Sequence, residues 1–238
     1  MNSIKMCFSA TASFSAAALL IPTGAYCLYQ SIQKNKKYAI LGSVPLLFGI
    51  QQFSEGFVWT GMKMGSQTLT TIAAYSFLFF AFFLWPFWIG LSIYPITPPA
   101  YKNKRMIIKL FIIIGIILSI YYCIPLFAYY PNVDIILNKG SVCYKHAHCL
   151  GYKHVPFVDS MLFNEFLLAV YVLVTMGPAL LSPDRRIRLF GWLLGGSLVL
   201  TGIFYHYAMY SVWCLFSALI SSYIVSIIHL DAVKHKAA

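Results

Sequence analysis

Residues 107–128 read IIKLFIIIGIILSIYYCIPLFA, an unbroken apolar run whose one charge is Lys109. At about 1.5 Å of rise per residue, such a run crosses the roughly 30 Å hydrocarbon core of a bilayer as a single α-helix. It shows none of the short polar–apolar alternation of outer-membrane strands, so a transmembrane β-barrel is excluded. Comparable runs lie on both sides, at about 8–29, 38–60 and 68–95 before it and 160–181, 188–207 and 209–230 after it. The predicted fold is therefore all-α, a seven-transmembrane-helix bundle forming one integral membrane domain over residues 1–238. The last two runs meet around residues 207–210 with almost no loop, which predicts a tight antiparallel hairpin. Residues 129–159 form the one sizeable segment outside the spans.

Composition points the same way. The chain is 60% hydrophobic and only 10% charged, whereas a soluble domain carries about a quarter charged residues. That excludes a disordered chain, a collagen-like fibre and a water-soluble enzyme. The net charge of +11 could suggest a nucleic-acid partner, but the positions of the basic residues explain it otherwise. Twelve sit on one predicted side: Lys34, Lys36 and Lys37; Lys102, Lys104, Arg105 and Lys109; Arg185, Arg186 and Arg188; Lys234 and Lys236. Five sit on the other: Lys5, Lys63, Lys139, Lys145 and Lys153. The positive-inside rule then predicts an outside N-terminus and a cytoplasmic C-terminus. The partner implied is the lipid bilayer, and no nucleic acid is needed. A cleavable signal peptide is not expected, because residues 1–6 hold one Lys and the apolar run that follows is too long.

Most features within the spans read as packing. The small residues of the first span (Ser9, Ala10, Ala12, Ser13, Ser15 and Ala16 to Ala18) predict a central, buried helix, and Gly191-x-x-x-Gly195 predicts a close helix contact. Pro22, Pro45, Pro86, Pro125 and Pro178 mark possible kinks. Trp59, Trp85, Trp88, Trp213, Tyr205, Tyr207 and Tyr210 read as interfacial belts.

Ionisable residues inside a span are different, since each costs a few kcal/mol and needs a partner or water. Glu55 follows Gln51, Gln52 and Ser54 in the second span, and Gln52, Glu55 and Trp59 share a helix face. Glu165 follows Asn164 in the fifth span, and His206 ends the sixth. With the predicted topology, all of these approach the outer boundary, as do Cys7 and Cys214. The expectation is an outward-facing polar cavity whose ligand-binding residues are Glu55, Gln52, Gln51, Glu165, Asn164 and His206. Loop residues 143–149 read CYKHAHC, and a Cys143–Cys149 disulfide closing a surface loop is the favoured reading in an oxidising compartment. The competing reading is metal binding, with no firm site; its candidates are His206, Glu55, Glu165, Cys7, His146 and His148. Which cofactor, if any, the chain uses is not decided by the sequence.

The string Met6-Cys7-Phe8-Ser9-Ala10-Thr11-Ala12-Ser13-Phe14 resembles the start of an uncharacterised family of bacterial multi-pass membrane proteins. The likeness continues through residues 21–27 (IPTGAYC) and 45–56 (PLLFGIQQFSEG), and recurs at 84–88 (LWPFW) and 211–214 (SVWC). The resemblance implies a bacterial cytoplasmic (inner) membrane protein of seven helices, and no mechanism. Family members start at the equivalent of Met6, which would leave Cys7 beside the N-terminus. Two other seven-helix classes fit less well. A retinal protein needs a Lys in its last span, where none occurs, and three-His intramembrane hydrolases would need loop histidines, because His206 and His229 lie at opposite ends of their spans. Three functions stay open: binding or transport of a cation, proton or small polar ligand; a metal-dependent hydrolase acting on a lipid or periplasmic substrate; and a structural or partner-binding membrane subunit. The sequence does not decide the oligomeric state.

Overall fold

Ser9 opens the first helix, its hydroxyl accepting the Ala12 N–H at 3.3 Å and satisfying one of the donors left over at a helix start. The computed structural model describes residues 9–128, 134–138, 141–145 and 161–234. Helix α1 is Ala10–Lys34, α2 is Ala39–Met64 and α3 is Gln67–Leu78. A π-helical segment, Phe79–Leu84, joins α3 to α4 (Trp85–Ile93) without a break, and α5 is Lys102–Ala128. Strands β1 (Asp134–Asn138) and β2 (Ser141–Lys145) pair antiparallel, Asp134 opposite Lys145 and Asn138 opposite Ser141. Helices α6 (Met161–Leu181), α7 (Arg185–Tyr205) and α8 (Met209–Lys234) complete the chain. With α3, the π segment and α4 counted as one rod, the described residues make seven helical rods.

Among the described residues, four segments are long and apolar enough to cross a membrane: Ala10–Lys34, Gln67–Ile93, Lys102–Ile124 and Arg185–His229. The last holds both α7 and α8, with a 3-10 turn at His206–Ala208 between them. Glu165–Leu181 is a shorter apolar helix. Helix α2 is absent from that group despite its 26 residues, because Gln51, Gln52, Ser54 and Glu55 lower its hydropathy.

Glycines set the packing. A Cβ at Gly56 would lie 2.5 Å from the Phe14 ring, one at Gly49 would lie 2.9 Å from the Ile21 backbone nitrogen, and one at Gly24 would overlap the Leu46 backbone. The paired numbers run in opposite senses, so α1 and α2 are antiparallel and nearly in backbone contact. Gly42, Gly49 and Gly56 recur every seven residues and keep this seam narrow. Gly90 against Ile112 with Gly115 against Pro86 does the same for α4 and α5, and Gly191 against Leu180 with Gly195 against Met176 for α6 and α7. Between α2 and α3 the chain reverses on Gly65, at φ +67, where the Ser66 N–H bonds the Gly61 carbonyl at 2.9 Å.

Helix α1 is not the central helix its small residues suggested. Ser13, Ala16, Ala17, Leu20, Gly24, Cys27 and Ser31 form one buried stripe, which packs on α2 and α8. The opposite face, with Leu19, Tyr26 and Tyr29, is exposed. The small residues thus serve one seam. Two tryptophans expected in the interfacial belts are interior instead: Trp85 and Trp213 are buried and donate their indole N–H groups to Gln51 and to the Leu194 carbonyl.

The α5–α6 connection also differs from a plain surface loop. Val142, Cys143 and Tyr144 of β2 are buried; Cys143 packs on Ala208 and Val212, and the Tyr144 ring stacks on Phe77 at 5.1 Å. Cys149, His146 and His148 lie outside the described residues, and with them the Cys143–Cys149 pairing and the loop metal reading. Glu55 lies nine residues before the end of α2, about 14 Å along its axis, while Ser211 opposite it lies two residues into α8, about 3 Å. The α7–α8 turn therefore stops roughly 10 Å short of the end of α2. The β-hairpin packs into that recess.

Candidate polar site between α2 and α8

Ser211 and Cys214 stand three residues apart near the start of α8, and Glu55 and Gln51 stand four apart on antiparallel α2, so the two pairs face each other. Ser211 Oγ donates to Glu55 Oε1, and Gln51 Nε2 donates to Cys214 Sγ at 3.4 Å. Gln51 Oε1 accepts the Trp85 indole N–H at 2.8 Å, and the Trp85 ring stacks on Phe48 at 3.9 Å. Gln51 therefore bridges α2, α4 and α8 with both ends of its amide used.

The π segment brings Trp85 to this position. Its last backbone bond runs from the Trp85 N–H to the Phe80 carbonyl, five residues back. The next bond in that pattern would come from Pro86, which has no N–H, so the Ala81 carbonyl is left over. Tyr171 of α6 supplies the missing donor, its hydroxyl bonding Ala81 O at 2.7 Å. Ser119 of α5 lies 2.7 Å from the Phe83 carbonyl. Two neighbouring helices thus hold the irregular turn from which Trp85 projects.

Glu55 is 1% exposed and Gln52 is 0% exposed. Gln52 lies beside Glu55 on the same face, near enough for its amide to favour the Glu55 carboxylate, yet neither Nε2 nor Oε1 makes a well-formed hydrogen bond among the described residues. The Tyr144 hydroxyl, carried in by β2, is buried without a partner as well. Burial first, and then the neighbouring Glu55 charge, push the Tyr144 phenol well above its usual range. No Lys, Arg or His pairs with Glu55 among the described residues. Among the described residues the Glu55 carboxyl group is met only by the neutral groups of Ser211 and Gln52, and a buried carboxylate without an opposite charge is costly. Beside Cys214 and Trp85 lies a small cavity of about 30 Å³, lined also by Tyr171, Thr175, Met176, Trp213 and Ser217, with room for one water.

The structure thus brings Gln51, Gln52 and Glu55 together, and it places the other expected ligands elsewhere. Glu165 is exposed on α6 and lines a separate cavity of about 170 Å³. His206 is exposed at the α7–α8 turn, its ring 5.8 Å from that of Tyr207. Asn164 falls within α6, but its side chain is outside the described residues, as is Cys7 entirely. No three His, Cys, Asp or Glu side chains cluster to hold a metal among the described residues. Sequence reading missed Ser211, Trp85 and Tyr144 as parts of the site. The signals were a small polar pair at i, i+3 opening the final apolar run, and a Trp-Pro step after three consecutive bulky residues, Phe82, Phe83 and Leu84.

No curated protein and no solved structure matches the chain. A family model does match, over residues 6–238, which takes in every residue of the α2–α8 site. The chain belongs to that family, the family of unknown function DUF6629.

Proposed function

We propose that this chain is a seven-span protein of a bacterial cytoplasmic membrane, with its N-terminus outside, and that it binds a proton or small cation at Glu55 as the core of a binding or transport activity. The observation that carries the reading is a buried acid with no cationic partner among the described residues, set beside a buried amide, Gln52, that makes no well-formed hydrogen bond there. Gln52 Oε1 and the second Glu55 oxygen are hard oxygen ligands for a small cation, and Ser211 Oγ can add a third. Membrane residence is supported by the outer face of α5, where Leu110, Ile113, Ile117, Ile120 and Ile124 are all exposed. A soluble protein seldom shows so continuous an apolar strip. The orientation is supported by the basic residues at the ends of α1, α5 and α7. A purely structural role is favoured by Gln51, whose amide is fully used in joining three helices, but it leaves Gln52 and Tyr144 unexplained.

Infrared difference spectroscopy on the protein in nanodiscs tests the site. A protonated-carboxyl band should fall on raising the pH or on adding sodium, potassium or calcium, and should be missing in Glu55→Gln. A spectrum that is identical in wild type and Glu55→Gln overturns the assignment.

A further inference from the structure

Glu165, which stands apart from the α2–α8 site, has surroundings of its own. It lines a cavity of about 170 Å³ walled by the rings of Phe82, Tyr122, Tyr171, Tyr210 and Trp213. These come from the π segment, α5, α6 and α8, so the cavity is a junction of four elements. The rings are fixed against one another: Phe82 lies 5.1 Å from both Tyr122 and Tyr210, and Tyr171 meets Trp213 edge-on at 6.0 Å. Among the described residues, Glu165 has no hydrogen-bond or ion-pair partner and no Lys, Arg or His lines the cavity.

Ring faces are electron-rich and attract cations, and a carboxylate adds a full negative charge at the same place. A bare metal ion is poorly served here, because the wall is mostly ring carbon and the Tyr171 hydroxyl is already bonded to the Ala81 carbonyl. A methylated ammonium suits it. Such a cation spreads its charge over methyl groups, asks for no hydrogen bonds and lies well against ring faces. The space is also adequate, since a cavity of about 150 Å³ accepts benzene. We infer that this cavity binds a methylated ammonium group, either a free choline-like cation or the headgroup of a choline lipid. The cavity shares Tyr171 and Trp213 with the small void beside Cys214 but does not include Glu55, so it stands or falls apart from the Glu55 reading.

Calorimetric titration of the full chain in non-choline detergent tests it, with tetramethylammonium chloride, choline chloride, sodium chloride and the neutral choline isostere 3,3-dimethylbutan-1-ol as probes. Saturable binding of the two methylated cations is expected, with none of sodium or of the alcohol. Glu165→Gln and Tyr210→Leu should each weaken it about tenfold, while Glu55→Gln leaves it unchanged. Equal binding of the neutral isostere marks an apolar or acyl-chain pocket and overturns the inference, as does a lack of saturation or full affinity in Glu165→Gln. The comparison between ligands needs no variant, so misfolding of Tyr210→Leu does not spoil it. Repeating the titration in nanodiscs identifies the source. Choline binding abolished by phosphatidylcholine but retained in phosphatidylglycerol points to the lipid headgroup, and binding retained in both points to the free cation.

Discussion

Gln51 and Gln52 are neighbours in the chain and opposites in the fold. Both are buried on α2, but Gln51 bonds Trp85 and Cys214 with its amide while Gln52, beside Glu55, makes no well-formed hydrogen bond among the described residues. Removing one partner from a buried hydrogen bond leaves the other orphaned, whereas removing an already orphaned group relieves a desolvation cost. Gln51→Leu should therefore destabilise the protein by about 1–3 kcal/mol, because the Trp85 indole N–H loses its acceptor. Gln52→Leu should leave stability unchanged or raise it. Thermal unfolding in one detergent compares them, and equal losses would contradict the assignment of Gln52 to a ligand. If the Glu55 reading holds, Gln52→Leu also blunts the cation-dependent carboxyl signal while keeping the fold. The prominence of Glu55 could be read from the sequence alone, because an acid within an apolar run is rare. Its partner Ser211 could not, since it lies 156 residues away and only the antiparallel packing of α2 and α8 brings them together.

At the scale of elements, the rods were legible because length and hydropathy set them, and the described helices begin and end within a few residues of the apolar runs. The interruption at Phe79–Leu84 was not. Hydropathy carries no trace of an i to i+5 bond, and the cause, Pro86, reads equally well as a simple kink. The β-hairpin was missed for a related reason: its strands are short, and its burial depends on a recess formed by helices elsewhere in the chain. The seven-residue spacing of Gly42, Gly49 and Gly56 was visible, yet its meaning rests on which helix lies opposite. That spacing carries a prediction. Gly49→Ala should destabilise by roughly 1–3 kcal/mol, as its methyl would press on the Ile21 backbone. Gly196→Ala meets nothing within 4 Å and should be neutral or slightly stabilising. Denaturation midpoints of the two variants in the same detergent check this, and a Gly196→Ala loss as large as that of Gly49→Ala would refute the close-seam account.

For the whole molecule, polarity divides the two ends of the bundle. Lys36, Lys102 and Arg185 sit at turns of one end, where Arg105 and Arg188 also tie down loop carbonyls of residues 94, 97, 182 and 183. The other end carries Lys63, the β-hairpin and the acids Glu55 and Glu165. In the proposed orientation, a fluorescent protein fused after residue 238 should fluoresce, while alkaline phosphatase fused there should be inactive; the reverse pattern would invert the topology. The recessed α7–α8 turn adds a condition on synthesis. In a chain made from its N-terminus, residues 134–145 emerge well before residues 185–234. In the proposed orientation, the hairpin that covers the turn can therefore reach the outer face before the turn exists. Because almost no chain separates α7 from α8, in that orientation those two helices would enter the bilayer as a pair, beneath the hairpin. Assembly of this protein would then close from the outside inwards, with the polar site completed last, when Ser211 arrives at Glu55.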